Sequence, residues 1–276
     1  MPKPGTRLDL IADAKQVGLD LSERLFTEWR RLGLLGAPQR RRSGRPHGQD
    51  LAIFSSEQRL LFRAIAMDRV RGVRNAWLAA YPVHAWLNYG DDWVSIEQLK
   101  AALITAVGNP RLSKRVATIT AKALVDRIDV NNASANARAH FKTEVTDQLW
   151  GRRIDEDRLR AAVARVFQPG IVVIHRGTSD ARLHIEAVTR WLVTTMTAAQ
   201  KLENITDEQL HEARLQHLVS LQGYLQGQAA RQAEGGPQLA GLYADVDLDD
   251  PKPAVGTLLQ LVGTNILNHR LAARTR

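Results

Sequence analysis

The stretch Trp29-Arg30-Arg31-Leu32-Gly33-Leu34-Leu35-Gly36-Ala37-Pro38-Gln39-Arg40-Arg41-Arg42-Ser43-Gly44-Arg45-Pro46-His47-Gly48-Gln49 decides how the chain is read. It holds six arginines and one histidine, and no acid appears before Asp50. Directly upstream, Asp20 to Leu35 has the pattern of a short helix closing on Gly33-Leu34-Leu35. Gly36, Pro38, Gly44, Pro46 and Gly48 cannot prolong that helix, so a basic, Gly-rich loop follows it. The arginines thus cluster on a helix end and the adjoining loop. A groove-sized element flanked by cations suits a nucleic-acid duplex, because one part can enter the groove while the other meets phosphates.

On the N-terminal side, Leu10, Ile11, Ala14 and Val17 recur at helical spacing, and Gly18 ends the run. Asp20 with Glu23 forms a capping-box pattern for the next helix. Leu21, Leu25 and Leu32 are expected to face inward there, with Arg24, Thr27, Arg30 and Arg31 outside. On the C-terminal side, Leu51 to Phe54 reads as one strand of a small hairpin, and Ser55 with Gln58 caps a third helix through Leu61 and Ile65. Two helices across a tight turn, the second cationic and amphipathic, make a helix-turn-helix, with the second in the major groove and the first bracing it. The basic loop and Leu51–Phe54 make a wing. The expected DNA-binding set is Ser22, Arg24, Thr27, Arg30, Arg31, Arg40, Arg41, Arg42 and Arg45. Arg24, Thr27 and Arg31 are aimed at base edges, and the loop arginines at phosphates or the minor groove.

Further along, a fourth helix through Val73, Trp77 and Ala80 is expected to close at Pro82. A turn of helix at Val83–Leu87 and a loop around Gly90 follow. Ser95 with Gln98 opens another helix through Leu99 and Leu103. Gly108-Asn109-Pro110 is the clearest break and sets the expected boundary. Residues 1–108 are then a winged helix-turn-helix domain with added helices. Residues 109–276 are a helical domain for dimerisation, effector sensing or partner binding. In it, helices are expected through Val116–Ala123, Ala137–Leu149 and Leu159–Val166, then over Ala181–Leu202, Asp207–Ala233 and Ala254–Ala272. Gln168–Asp180 is irregular and Ala240–Pro253 an acidic strap. The expected fold class is mainly α.

Composition narrows the function. A chain of 276 residues, 44% apolar, can build a core and more than one domain. Its net charge of +9 is uneven: residues 1–80 carry 15 Lys and Arg against 8 Asp and Glu, and the remainder 23 against 21. Such asymmetry points to a local polyanion-binding surface. The absence of cysteine removes disulfide frameworks, thiolate zinc sites, iron–sulfur centres and thiol nucleophiles. The first residues lack the apolar core of a signal peptide, and no run approaches the roughly 20 apolar residues of a membrane span, so a soluble cytoplasmic protein without membrane partners is expected.

Enzymatic and metal signals are weak. His211 and His217 lie six apart and share no helical face. Asp245, Asp247, Asp249 and Asp250 lack the glycine and terminal glutamate of an EF-hand loop. Gly33-x-x-Gly36 and Gly223-x-x-x-Gly227 are too short for phosphate loops. No enzyme, cofactor or metal is expected. Trp77, Tyr81, Trp86, Tyr89 and Trp93 concentrate the aromatics, which leaves two readings open. They fill the core of a small domain, the favoured reading, or Trp77, Tyr81, Trp86 and Trp93 line a pocket for an apolar ligand. A cationic run is most often a solvated face, but an acid-free run of this length after a turn motif is less usual.

The order helix, Gly18, helix, Gly33-Leu34-Leu35, basic Gly-rich loop, Phe54-Ser55, Glu57-Gln58, helix resembles the winged helix-turn-helix of MerR-type regulators. Ser22-Glu23-Arg24-Leu25-Phe26-Thr27-Glu28-Trp29 matches their run of the type S-x-R-T-L-R-x-Y, with Arg24 on the usual arginine and Trp29 on the aromatic position. The turn after Gly18 and the wing loop are longer than in that pattern, and Thr27 replaces its second arginine. The likeness covers residues 8–70. It implies a dimer on palindromic duplex DNA, and no metal sensor, because that branch uses thiolates. The leading expectation is a sequence-specific transcriptional regulator, dimeric, with a small-molecule or protein effector as a further partner. Leu210, Ala213, Leu218, Leu221 and Leu225 form a stripe that fits a dimer seam or an intramolecular bundle equally well. The alternatives are a phage or mobile-element excisionase or recombination accessory factor, and an adaptor whose basic loop binds an acidic protein.

Overall fold

The computed structural model describes residues 2–41, 51–110, 113–126, 133–151, 153–166, 181–233 and 250–274. These residues are mainly helical, with one two-stranded sheet among them. The chain forms two compact units, Met1–Ala106 with His211–Leu258, and Val107–Leu210 with Leu259–Arg276. The first break therefore falls at Ala106, close to the expected 108. The segment His211–Leu258, however, joins the N-terminal unit and not the C-terminal one.

The first unit starts with α1 (Arg7–Gln16) and α2 (Glu23–Arg31). The cap of α2 is Ser22, whose Oγ accepts the Leu25 N–H at 3.2 Å. The expected Asp20/Glu23 box is thus displaced by a second capping residue two positions on. The inward face also differs from the expected Leu21, Leu25 and Leu32: Leu21, Phe26 and Trp29 are buried, and Leu25 and Leu32 only half-buried. The two rings win because they have partners. Phe26 meets Phe54 edge-on at 5.9 Å, and Trp29 packs on Phe62 at 5.6 Å.

Gly33 ends α2 with φ 72°, while the Leu34 N–H reaches the Trp29 carbonyl at 2.9 Å and the Gly33 N–H that of Arg30 at 3.2 Å. This is a Schellman closure. A Cβ on Gly33 would stand 2.4 Å from the backbone nitrogen of Ala102 and 2.5 Å from the Gln98 carbonyl, so glycine alone fits. Leu34 and Leu35 then turn into the core.

The expected hairpin is present. β1 (Gln39–Arg41) pairs antiparallel with β2 (Leu51–Ile53), setting Arg40 opposite Ala52. Phe54 continues into a bridge with Gly5. Ser55 caps α3 (Ser56–Val70) by accepting the Gln58 N–H at 3.1 Å. α1 is fastened to α3 through buried Asp13, which accepts Arg59 Nε and Nη2 at 2.9 and 3.0 Å and Arg63 Nη2 at 2.5 Å. Next come α4 (Asn75–Leu78), α5 (Ala80–Tyr89), a 3-10 turn at Gly90–Asp92 and α6 (Ile96–Val107). Pro82 does not close a helix as expected. It lies in the first turn of α5, where its missing N–H leaves no bond unmade.

In the second unit, α7 (Lys114–Asp126), α8 (Ala135–Trp150), α9 (Glu156–Val166) and α10 (Ala181–Ala199) pack around Ala121, Phe141, Val145, Leu159, Val163 and Leu192. The expected irregular segment 168–180 and residues 240–249 of the strap lie outside the described residues. Two long helices complete the chain, α11 (Asp207–Ala233) and α12 (Ala254–Arg274). Thr206 and Gln209 form the expected capping box of α11. Of the α11 stripe, Leu210 and Ala213 are buried within the chain, Leu218 and Leu221 are half-buried, and Leu225 is exposed. Its first two members are therefore closed to a partner. No helix among the described residues is long and apolar enough to cross a membrane.

Candidate nucleic-acid interface

The burial of Phe26 and Trp29 fixes which side of α2 meets solvent. Arg24, Thr27 and Arg31, at helical spacings of three and four, share that side, and all three are exposed. Arg30 is exposed beside them, and Ser22 is exposed at the helix start with its hydroxyl engaged as the cap. Arg40 is exposed on β1. The side chain of Arg41, and the whole of Arg42 and Arg45, lie outside the described residues.

Charge is partitioned within this unit. Arg7 pairs with Glu23 and stacks over Phe26 at 5.0 Å, and Arg59 and Arg63 are held by Asp13. Arg24, Arg30, Arg31 and Arg40 make no ion pair among the described residues. Glu28 stands between Arg24 and Arg31 on the same side, where it would neutralise them. Its Oε1 instead accepts Asn75 Nδ2 at 3.3 Å. That contact sets the start of α4, including the exposed Arg74, which makes no ion pair among the described residues, next to α2. Arg30 and Arg31 also suit the negative end of the helix dipole, which explains their tolerance at that end but not the absence of partners.

Asp13 is 2% exposed. Burial alone would raise its carboxyl, but the Arg59 and Arg63 hydrogen bonds outweigh that and hold it below the ordinary carboxylate range. Helix α1 is thereby locked to α3 by charge-assisted bonds. Sequence pattern gives no sign of this pairing, since Asp13 and Arg59 lie 46 positions apart.

The aromatic group serves several separate ends. Trp86 is fully buried and donates Nε1 to Asp91 at 2.8 Å, while Trp77 is 56% exposed. Tyr81 donates its hydroxyl to Asp68 at 2.7 Å, and burial pushes that hydroxyl up to about 12. Trp93 stacks on Tyr89 at 4.4 Å. α11 closes over this region: His211 Nε2 lies 2.9 Å from Asp91, and Arg214 donates Nε to the Trp86 carbonyl at 2.9 Å, capping the end of α5. His217 Nε2 lies 3.5 Å from Asn88 Oδ1. Among the described residues, no group of three or more His, Asp or Glu side chains is arranged to hold a metal ion.

Compared with known protein families, curated proteins and solved structures, the chain matches none.

Proposed function

We propose that the N-terminal unit is a winged helix-turn-helix of the MerR kind and that the protein is a sequence-specific, duplex-DNA-binding transcriptional regulator acting as a dimer. The observation that supports it most is the set of exposed guanidiniums without ion pairs among the described residues, Arg24, Arg30, Arg31 and Arg40, on one short helix and the adjoining hairpin. Elsewhere in the same unit, Arg7, Arg59, Arg63 and Arg71 are each matched to a carboxylate. Cations held without internal partners remain available to phosphates and to guanine edges.

In this reading α2 enters the major groove with Arg24, Thr27 and Arg31 toward the bases. Arg40 and its neighbours meet the backbone, and α1 supports α2 from behind. The test is selection of bound sequences from a random duplex pool, followed by titration of the selected site. A palindromic consensus whose letters change on Arg24→Ala supports a dimeric regulator. Clustered sites without a palindrome would favour the recombination accessory role. Affinity for no duplex at all would sink both.

A further inference from the structure

The two feet of the basic hairpin are fastened by different means. Phe54, at the end of β2, is fixed by its bridge to Gly5 and its ring contact with Phe26. The foot before β1 is Gly36, whose backbone N–H donates to Gln58 Oε1 at 2.8 Å. The same side-chain amide donates Nε2 to the Trp93 carbonyl at 2.5 Å and to Gln98 Oε1 at 2.8 Å. Gln58 and Gln98 are both buried, and a Cβ on Gly36 would lie 2.6 Å from Gln98 Oε1. An amide with its acceptor and both donor directions specified has one orientation, and backbone bonded to it has little freedom.

We propose that Gln58 is a positioning residue of the wing: it sets the direction in which β1 leaves Gly36, and so where Arg40 stands relative to α2. This rests on the duplex-binding reading above. The residue type follows from the contacts, since one side chain must accept from Gly36 and donate to Trp93 at once. Glutamate at this position retains the acceptor and loses the donors. Gln98 can answer by turning its own amide, but the Trp93 carbonyl cannot, so the carboxylate is driven off and Gly36 moves with it.

The test uses the full chain on a duplex recovered by selection, comparing wild type, Gln58→Glu, the pair Arg40→Ala with Arg41→Ala, and all three changes together. The slope of log affinity against log salt is read at a temperature where every variant is folded. Removing the two arginines should flatten it by about 2, from roughly 0.9 per phosphate contact. Gln58→Glu alone should flatten it by about 1–2, and should add nothing once the arginines are gone. Additive effects, or a wild-type slope in Gln58→Glu, would overturn the proposal. If wild type binds no duplex, the functional reading fails, yet wing placement is still measurable by amide hydrogen exchange in Gln58→Met. That variant also serves if Gln58→Glu does not fold. Faster exchange at Gly36 and through β1, with Phe26 and Trp29 unchanged, supports Gln58 as the anchor. Unchanged exchange at Gly36 overturns it.

Discussion

Replacing Asp13 with alanine removes the acceptor of three guanidinium hydrogen bonds between α1 and α3. Arg59 is then left with its charge nearly enclosed, its side chain being 11% exposed. Breaking a buried pair costs about 3–5 kcal/mol. Arg63 can turn toward water, and Arg59 retains the Lys3 carbonyl at 2.7 Å, so the lower end applies, about 3 kcal/mol. That corresponds to a fall in Tm of roughly 6–12 °C for a unit of this size. Thermal unfolding followed by tryptophan fluorescence reads it directly, because Trp29 and Trp86 are fully buried in the same unit. The pH dependence has a definite sign. The folded carboxyl lies below its ordinary value of 3.8, so its stabilisation is complete above that value and is lost as pH falls through the lower folded one. The gap between wild type and variant should therefore be constant from neutrality to roughly pH 5 and close only in stronger acid. A Tm change under about 2 °C at neutral pH, or a gap that persists in strong acid, would refute the account.

Three further outcomes are expected. Arg40→Ala, Arg41→Ala and Arg42→Ala together should weaken binding to every duplex and flatten its salt slope by about 1 for each phosphate no longer neutralised, whereas Arg24→Ala should alter sequence preference; a titration with identical slopes removes the wing from the interface. Gly263→Ala should destabilise the second unit by about 1–3 kcal/mol or more, since the new Cβ would fall 1.9 Å from the Thr194 carbonyl oxygen, and an unfolding midpoint equal to wild type would contradict so close a helix crossing. In an ultraviolet titration, the difference between wild type and Tyr81→Phe should show a phenol ionising at about 12; because burial raises that value, the protonated form is favoured by folding and the benefit is lost as pH climbs through it. A difference midpoint near 10 would count against the buried hydroxyl.

Local sequence carries much of the N-terminal architecture. Gly33-Leu34-Leu35 ends a helix and Ser55 starts one, because each depends on residues within a few positions, and the short apolar run Leu51–Ile53 marks a strand whose partner, Gln39–Arg41, is the preceding stretch of chain able to reach it. Expectation and structure part where two local patterns overlap or where a distant partner decides. Asp20 and Ser22 both have the chemistry of caps, and only the path of the turn selects Ser22. Phe26 displaces Leu25 from the core because Phe54 waits 28 positions away to receive it. Gln58 and Gln98 each occupy a position where glutamine commonly closes a capping box, so the pattern points to local roles and hides their inward amides. For the candidate interface, the exposure of Arg24, Thr27, Arg30 and Arg31 follows from helical phase. The withdrawal of Glu28 by Asn75 does not, and neither does the arrival of Arg74 beside it.

His211 and Arg214 close onto Asp91 and the Trp86 carbonyl from a segment that follows the entire stretch from Val107 to Leu210. On the ribosome, the N-terminal unit must therefore wait with that flank bare until the intervening chain has been translated. At roughly 5–20 residues per second the delay is on the order of 5–20 s, during which Trp86 and the end of α5 are uncovered in the nascent polypeptide. Gene fragments stopped at Ala106 freeze the protein in that unfinished condition, so a stable excised unit requires the later helix to be supplied by a shortened connection.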